Sequence, residues 1–167
     1  GMALTPDQMP DRAEVVFTCN GKAVGKMRNE LDVAMVKPFE ERFALATDEG
    51  AFHGGDASAP PPLALFIAGL TGCVMTQIRA FAKRLKVTVT DLDVECRVVW
   101  DWAKAGPVYE TGPKSFEIDI ILHSPDPIEA QQALIEAAKK GCFLEQTLGQ
   151  ANTIRHRLKV GDTFIDA

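Results

Sequence analysis

The chain has 167 residues, of which 46% are hydrophobic and 25% charged, and its formal net charge is −5. This size and balance are typical of one soluble globular domain that buries its core without disulfide bonds. The acidic charge and the lack of a long Lys/Arg-rich run argue against a nucleic acid or an anionic membrane as partner, because binding to phosphate groups requires a concentrated basic surface.

Residues 1 to 12 are predicted to form a flexible N-terminal arm, followed by a single domain over residues 13 to 167. Gly1 before Met2 is typical of the scar left when a purification tag is removed. The start of the sequence has no basic segment followed by an apolar one, so it predicts no secretory signal and a cytoplasmic protein. The longest apolar run is shorter than the roughly 20 residues that a membrane span needs.

The first part of the domain predicts an antiparallel meander of three strands. Val15, Phe17 and Cys19 form one row that alternates with a second row of Glu14, Val16, Thr18 and Asn20, which is the period of a strand with one buried face. Asn20-Gly21 predicts a hairpin turn, because both residues tolerate positive φ. Arg28 falls on the polar row of the second strand, and a third strand covers residues 42 to 46.

A long helix is predicted from about Pro61 to Leu85. Its first half is apolar on all sides, which is typical of a buried helix, and its second half is amphipathic. Small side chains let another backbone approach closely. The helix therefore predicts close packing, against either the same helix of a second subunit or a covering sheet, along a row of small residues at intervals of four: Ala64, Ala68, Gly72 and Thr76.

The remaining residues predict a hairpin, two helices and a last strand. Alternating residues indicate two strands joined by a turn over residues 103 to 113. Helices follow at residues 127 to 140 and 142 to 151, with Gly141 as the C-terminal cap of the first, and the last strand covers residues 154 to 160. The predicted class is α+β with the order βββ-α-ββ-αα-β.

The four cysteines are the candidate reactive residues. Cys19 and Cys96 lie on the apolar rows of their strands, where a free cysteine usually serves as a packing residue. Cys73 lies in the most apolar part of the long helix, and its position alone would assign it to the core. Cys142 opens a helix directly after Gly141, where backbone N–H groups and the helix dipole favour a thiolate and a lowered pKa.

Other catalytic signatures are missing from the sequence. It contains no GxSxG, GxGxxG or HExxH motif and no phosphate-binding loop. The cysteines are too widely separated, and the three histidines supply no ligand pair, so zinc is not predicted. A serine hydrolase, a nucleotide-binding protein and a metalloprotease are therefore disfavoured.

The segment GGDASAPPPLALFIAGLTGC (residues 54 to 73), the helix tail RAFAKRL and the distant Cys142 resemble the OsmC/Ohr proteins. These are the osmotically inducible and organic hydroperoxide resistance proteins of the antioxidant stress response. The resemblance extends from about residue 15 to residue 160. It implies an intertwined homodimer with two long buried central helices, antiparallel sheets wrapped around them, active sites at the subunit interface, and no metal or organic cofactor.

The resemblance also implies a two-cysteine peroxidase. Cys73 matches the peroxidatic cysteine, whose thiolate attacks a hydroperoxide and becomes a sulfenic acid. Cys142 matches the resolving cysteine, which forms a disulfide that a dithiol reductant, of lipoyl or similar type, reduces again. Arg28 is the best match to the arginine that stabilises the thiolate, with a solvated surface arginine as the alternative. The neighbours expected to form an apolar substrate pocket are Leu63, Phe66, Leu70 and Phe143.

Two positions depart from the family pattern. Peroxidases of the family usually carry a glutamate ten residues before the peroxidatic cysteine, where this sequence has Leu63, and proline commonly follows the second cysteine, where it has Phe143. The leading hypothesis is thiol-dependent reduction of organic hydroperoxides. A second is a non-catalytic relative that binds a hydrophobic small molecule at the dimer interface, and a third treats both cysteines as packing residues.

Overall fold

A computed structural model describes residues 5 to 167 as two compact units, which divide between Phe66 and Ile67. The predicted tag scar at Gly1 lies outside the described residues. A short 3-10 turn, Pro6–Gln8, lies in the remainder of the predicted arm. The prediction of a single domain from residue 13 onward stays a prediction, and each unit is described by itself.

The first unit contains the predicted antiparallel meander. Its three strands pair in chain order. They are β1 (Val16–Val24), β2 (Arg28–Lys37) and β3 (Glu41–Thr47).

The turn between β1 and β2 lies further along the chain than the sequence predicts. The prediction of a hairpin at Asn20-Gly21 is wrong, because β1 continues through both residues and Gly21 pairs with Leu31. A Cβ atom at Gly21 would lie 3.3 Å from the Leu31 side chain, so the glycine makes room within the sheet. The chain turns instead at Gly25, whose φ of 60° suits glycine.

The sheet leaves much of its apolar surface exposed. Phe17 is 56% exposed and Phe43 is 46% exposed. Cys19 is also exposed, which contradicts its predicted packing role. The buried residues described in this unit are instead polar, Thr47 and Asp48.

The long helix α1 (Pro62–Leu85) begins within one residue of its predicted start and ends where predicted. Its buried residues recur every fourth position and form one face: Leu70, Val74, Ile78 and Ala82. Its first half was predicted to be buried on all sides, yet Leu63 is 56% exposed in the single chain. The first half is therefore not buried on all sides in the single chain, and the predicted homodimer stays a prediction. By length and composition α1 could also span a membrane, as core helices of soluble proteins could.

A long hairpin of β4 (Asp91–Ala105) and β5 (Val108–His123) follows in the second unit. The predicted turn over residues 103 to 113 is too long, since only Gly106 and Pro107 separate the strands. Pairing continues past Trp102 and Tyr109, whose rings lie 5.4 Å apart. Gly106 has a φ of 63° and so permits the tight turn.

The C-terminal part confirms the α+β class and adds one strand to the predicted order. The helix α2 (Ile128–Gly141) and the short helix α3 (Phe143–Leu148) are followed by a hairpin of β6 (Arg157–Val160) and β7 (Thr163–Asp166). Gly161, with a φ of 60°, makes the unpredicted turn between the last two strands.

The hydrophobic core of the second unit lies between α1, α2 and the β4–β5 hairpin. Leu134 and Ala138 of α2 join the buried face of α1, and Cys142 completes the cluster. Cys96 packs against this core, as predicted. Half-buried strand residues that also pack there include Leu92, Val94, Val98, Ile118 and Ile120.

Replacing Leu134 by alanine should destabilise the protein, because this side chain is fully buried in the core. We expect a loss of about 2–5 kcal/mol in the free energy of unfolding, measured by chemical denaturation. Ile128→Ala on the same helix is the matched control. Ile128 is 59% exposed, so this change should cost less than about 0.5 kcal/mol. Equal losses in the two variants would contradict the core described above.

Candidate functional site

The structure brings the two predicted reactive cysteines together. The Sγ atoms of Cys73 and Cys142 lie 3.1 Å apart, with the Cys142 thiol as hydrogen-bond donor. Both are free thiols, Cys142 fully buried and Cys73 half-buried. The sulfurs are close enough for a small side-chain movement to join them in a disulfide.

Gly141 allows this contact by bringing the end of α2 against α1. A Cβ atom at Gly141 would lie 2.6 Å from the ring of Phe81 on α1, so a larger residue would force this ring to move. The sequence predicted Gly141 as the helix cap, but it is the last residue of α2 and Cys142 occupies the cap position with a φ of −81°. The glycine is thus required for space and not for a left-handed conformation.

Burial raises the pKa of Cys142 to about 11. The backbone N–H groups of Glu145 and Leu144 oppose this rise, and the adjacent Cys73 sulfur adds to it. The sequence predicted a lowered pKa at the start of α3, and that prediction is wrong. Cys142 makes no side-chain capping hydrogen bond to the helix, and the loss of hydration disfavours the thiolate more than the amides favour it.

Glu145 is a candidate site residue that the sequence analysis missed. It follows Cys142 by three residues, a spacing that places both side chains on one side of α3. Burial raises the pKa of this half-buried carboxyl, whereas the Cys142 thiol and the charge of Lys139 lower it. The signal that could have revealed it is the Cys-x-x-Glu spacing at a helix start, which parallels the Ser/Thr-x-x-Glu capping pattern.

Arg28 is held by a hydrogen-bond network within the first unit. Its Nε donates to Oε1 of Glu30 at 2.9 Å, and its Nη1 donates to the carbonyl and hydroxyl oxygens of Ser58, both at 3.0 Å. The bond to Glu30 raises the pKa of Arg28. The Arg28 side chain is 31% exposed, so it is not a freely solvated surface arginine. Strand β2 pairs regularly with β1 at Arg28 and Asn29, so no bulge at this point changes the face of the sheet on which the Arg28 side chain lies.

Asp48 anchors the segment that carries Ser58. It is 2% exposed, and its carboxylate accepts hydrogen bonds from the backbone N–H of Glu49 at 2.8 Å and of Ser58 at 2.9 Å. The Ser58 hydroxyl also donates to it, at 2.5 Å. These bonds, with a smaller effect from Arg28, lower the pKa of Asp48 and keep it charged. Two carboxylates, those of Glu30 and Asp48, therefore lie near Arg28. The family's usual glutamate is not one of them, because its position is occupied by Leu63.

The predicted pocket residues of the second unit, Leu70 and Phe143, line different cavities. Leu70 is buried and lines a cavity of about 370 Å³ that also contains Glu145. Phe143 is 61% exposed and lines a cavity of about 540 Å³ beside Cys142. The other two predicted residues lie in the first unit, where their exposed fractions are 56% and 36%: Leu63 and Phe66.

The second unit thus contains a pair of reduced sulfurs with an acid beside them. Two thiols in contact can exchange between reduced and disulfide forms, and the more accessible one can react with an oxidant. Between residues 5 and 167, no group of three His, Cys, Asp or Glu side chains could hold a metal ion.

This chain resembles one known protein family and several solved structures. A family model described as OsmC-like protein matches residues 54–157. A crystal structure of an OsmC-like hydroperoxide resistance protein from Jannaschia sp. CCS1 is 96% identical, covers 93% of this chain and 100% of that chain, and has a TM-score of 0.65. No functionally curated protein matches.

Two more distant structures share the fold. One is an organic hydroperoxide resistance protein OsmC from Legionella pneumophila, with 20% identity, coverage of 81% of this chain and 89% of that one, and a TM-score of 0.52. The other is an OsmC-like protein from Mycoplasma pneumoniae, with 17% identity, coverage of 84% and 89%, and a TM-score of 0.53.

Cys142 should resist alkylation at neutral pH. The thiolate is the reactive form of cysteine, and burial holds the pKa of Cys142 near 11. In the reduced protein at pH 7, iodoacetamide should therefore modify Cys19 and Cys73 first. Modification of Cys142, followed by peptide mass spectrometry, should accelerate as the pH approaches 11 while circular dichroism reports the folded state. Labelling of Cys142 as fast as the exposed Cys19 at pH 7 would contradict this pKa.

Ser58→Ala should destabilise the first unit, because it removes the hydroxyl that donates to Asp48 and accepts from Arg28. We expect a loss of about 1–2 kcal/mol in the free energy of unfolding. The folded-state pKa of Asp48 is lowered, so its stabilisation is complete above the unfolded-state value of about 3.9 and disappears as the pH falls through the folded-state pKa. The difference between variant and wild type should shrink in that acidic range.

Thr90→Ala is the control for Ser58→Ala, since the Thr90 hydroxyl makes one exposed hydrogen bond, to the carbonyl of His123. Denaturation should show a smaller loss for this control. An equal loss, or a Ser58→Ala effect that does not change with pH, would argue against the Asp48–Ser58 network.

Proposed function

The chain belongs to the OsmC-like family, and from this premise we propose that it is a thiol-dependent peroxidase that reduces organic hydroperoxides. The observation that carries the proposal is the 3.1 Å contact between the Sγ atoms of Cys73 and Cys142. The hydroperoxide resistance protein from Jannaschia sp. CCS1, at 96% identity, supports a peroxide-related function.

In the proposed first step, the Cys73 thiolate attacks one oxygen of the hydroperoxide. A sulfur–oxygen bond forms as the oxygen–oxygen bond breaks, so Cys73 becomes a sulfenic acid and the substrate leaves as an alkoxide that takes up a proton from solvent. The sulfur loses two electrons and the peroxide gains them. Cys73 suits this role because it is the more accessible of the two sulfurs.

In the second step, Cys142 attacks the oxidised Cys73 sulfur and releases water. The resulting disulfide is reduced by an external dithiol, for which we propose a lipoyl-type or similar reductant. Cys142 suits the resolving role, because full burial shields it from the peroxide and leaves it protonated until Cys73 has reacted.

Arg28 is proposed as the cation that stabilises the Cys73 thiolate and polarises the peroxide. The assignment comes from the family resemblance, and the ordered contacts of Arg28 support it. Glu30 and Ser58 fix its guanidinium, and buried Asp48 fixes Ser58. Such a network holds the positive charge of Arg28 in a fixed position. In the family pattern this is the role of the glutamate, whose position is occupied here by Leu63.

A homodimer is proposed as the working form. A Cβ atom added at Gly72 would meet no atom within 4 Å, and much of the first half of α1 is exposed. A second copy of α1 would cover this apolar surface. We also propose that the protein acts in the cytoplasm, with neither a nucleic acid nor a membrane as partner, in keeping with its net charge of −5.

The alternative function, binding of a hydrophobic small molecule, has less support. This alternative is suggested by the apolar Leu63, which occupies the position of the family's glutamate. However, Leu70 and Phe143 line separate cavities, so these two residues do not provide a common binding surface.

Cys73→Ser should reduce the dithiothreitol- or dihydrolipoamide-dependent turnover of tert-butyl hydroperoxide to the uncatalysed background, because it removes the nucleophile. Cys142→Ser should retain one oxidation of Cys73 per chain but form no intramolecular disulfide. Cys19→Ser is the control, since Cys19 is exposed, and it should keep wild-type turnover. Equal rates in wild type and Cys73→Ser would rule out the proposed activity.

A further inference from the structure

The buried Cys142 thiol needs a proton acceptor if it is to resolve an oxidised Cys73. A thiolate is the nucleophile in disulfide formation, but the exposed fraction of Cys142 is 0%. In the reduced protein its proton is donated to the Cys73 sulfur, and at neutral pH few hydroxide ions are present to remove it. A base within the protein beside this sulfur can accept the proton once Cys73 is oxidised.

Glu145 is the carboxylate that reaches this position. It lies on α3, three residues after the N-cap residue Cys142, and the Cys142 thiol lowers the pKa of its carboxyl, as a nearby donor does. It also lines two cavities, one with Leu70 and the other with Val74. Leu70 and Val74 precede and follow Cys73 on α1, so Glu145 faces the part of α1 that carries the peroxidatic sulfur.

The surroundings of Glu145 suit a group that exchanges a proton. Its neighbours on β5 are apolar, Phe116 and Ile118. The ionisable groups near it are Lys139 of α2, which favours the charged carboxylate, and the Cys142 thiol, with the Cys73 sulfur beyond it. Burial raises the pKa of Glu145, which brings it closer to that of the thiol and makes proton transfer less unfavourable.

We propose that Glu145 is the general base of the resolving step and accepts the proton of Cys142. As the proton moves to the carboxylate, the Cys142 sulfur attacks the Cys73 sulfenic acid. The sulfur–sulfur bond forms, the sulfur–oxygen bond breaks, and the departing hydroxide takes the proton from Glu145 to leave as water. This inference rests on the proposed peroxidase function and concerns only its second half.

Glu145→Gln separates the two halves, because it keeps the size of the side chain and removes its basicity. After mixing with one equivalent of tert-butyl hydroperoxide at pH 7, Cys73 should oxidise at the wild-type rate. Formation of the Cys73–Cys142 disulfide should slow at least tenfold, and dimedone should trap the accumulated sulfenic acid, as measured by quenched-flow mass spectrometry. The rate of disulfide formation should recover as the pH rises towards 11, where hydroxide can deprotonate Cys142.

Two further variants test whether the effect is chemical or structural. Glu145→Asp retains a carboxylate and should restore part of the rate. Glu129→Gln changes an exposed acid on α2 and should behave as wild type. Thermal denaturation of all variants reports their folding.

The results distinguish the inference from the function on which it rests. Wild-type disulfide formation in Glu145→Gln, or slow formation at every pH without rescue by aspartate, would overturn the role of Glu145 and leave the peroxidase proposal intact. Failure of Cys73 to oxidise in the wild-type protein would overturn the peroxidase proposal, and the inference with it.

Discussion

The close approach of α2 to α1 at Gly141 is the constraint on which the candidate site depends. A side chain there would collide with the Phe81 ring of α1, so the glycine leaves room for this ring beside the end of α2. The next residue, Cys142, is consequently carried into the core and against Cys73. Two cysteines that are distant in sequence are thus in direct contact, and one of them is completely buried.

That burial gives two identical side chains different chemical properties. Cys142 loses its hydration and holds its proton, whereas Cys73 remains partly accessible and accepts the Cys142 hydrogen bond. The environment therefore distinguishes the two thiols. In the proposed mechanism the accessible Cys73 is the nucleophile, the buried Cys142 is the resolving thiol, and Glu145 is its base.

In the first unit, the Arg28 side chain is held in place by residues that the family pattern does not indicate. Leu63 removes the usual carboxylate, but Glu30 bonds to Arg28 directly and Asp48 acts through Ser58. The buried Asp48 is stabilised by several donors in place of water, which is the condition for a charge away from solvent. An arginine can therefore be ordered without the glutamate at that position.

The sequence by itself determined the α+β class, the order of the main elements and the extent of α1, because hydrophobic periodicity is local. The resemblance to the OsmC/Ohr proteins identified Cys73 and Cys142 as the candidate reactive cysteines, whereas hydrophobic periodicity alone assigned Cys73 to the core. Only the tertiary structure decided the turn at Gly25, the role of Gly141, the raised pKa of Cys142 and the position of Glu145. The role of Gly141 and the raised pKa of Cys142 depend on atoms from distant parts of the chain, through close packing and lost hydration. The turn at Gly25 depends on strand register and Glu145 on a Cys-x-x-Glu spacing, and hydrophobic periodicity reveals neither.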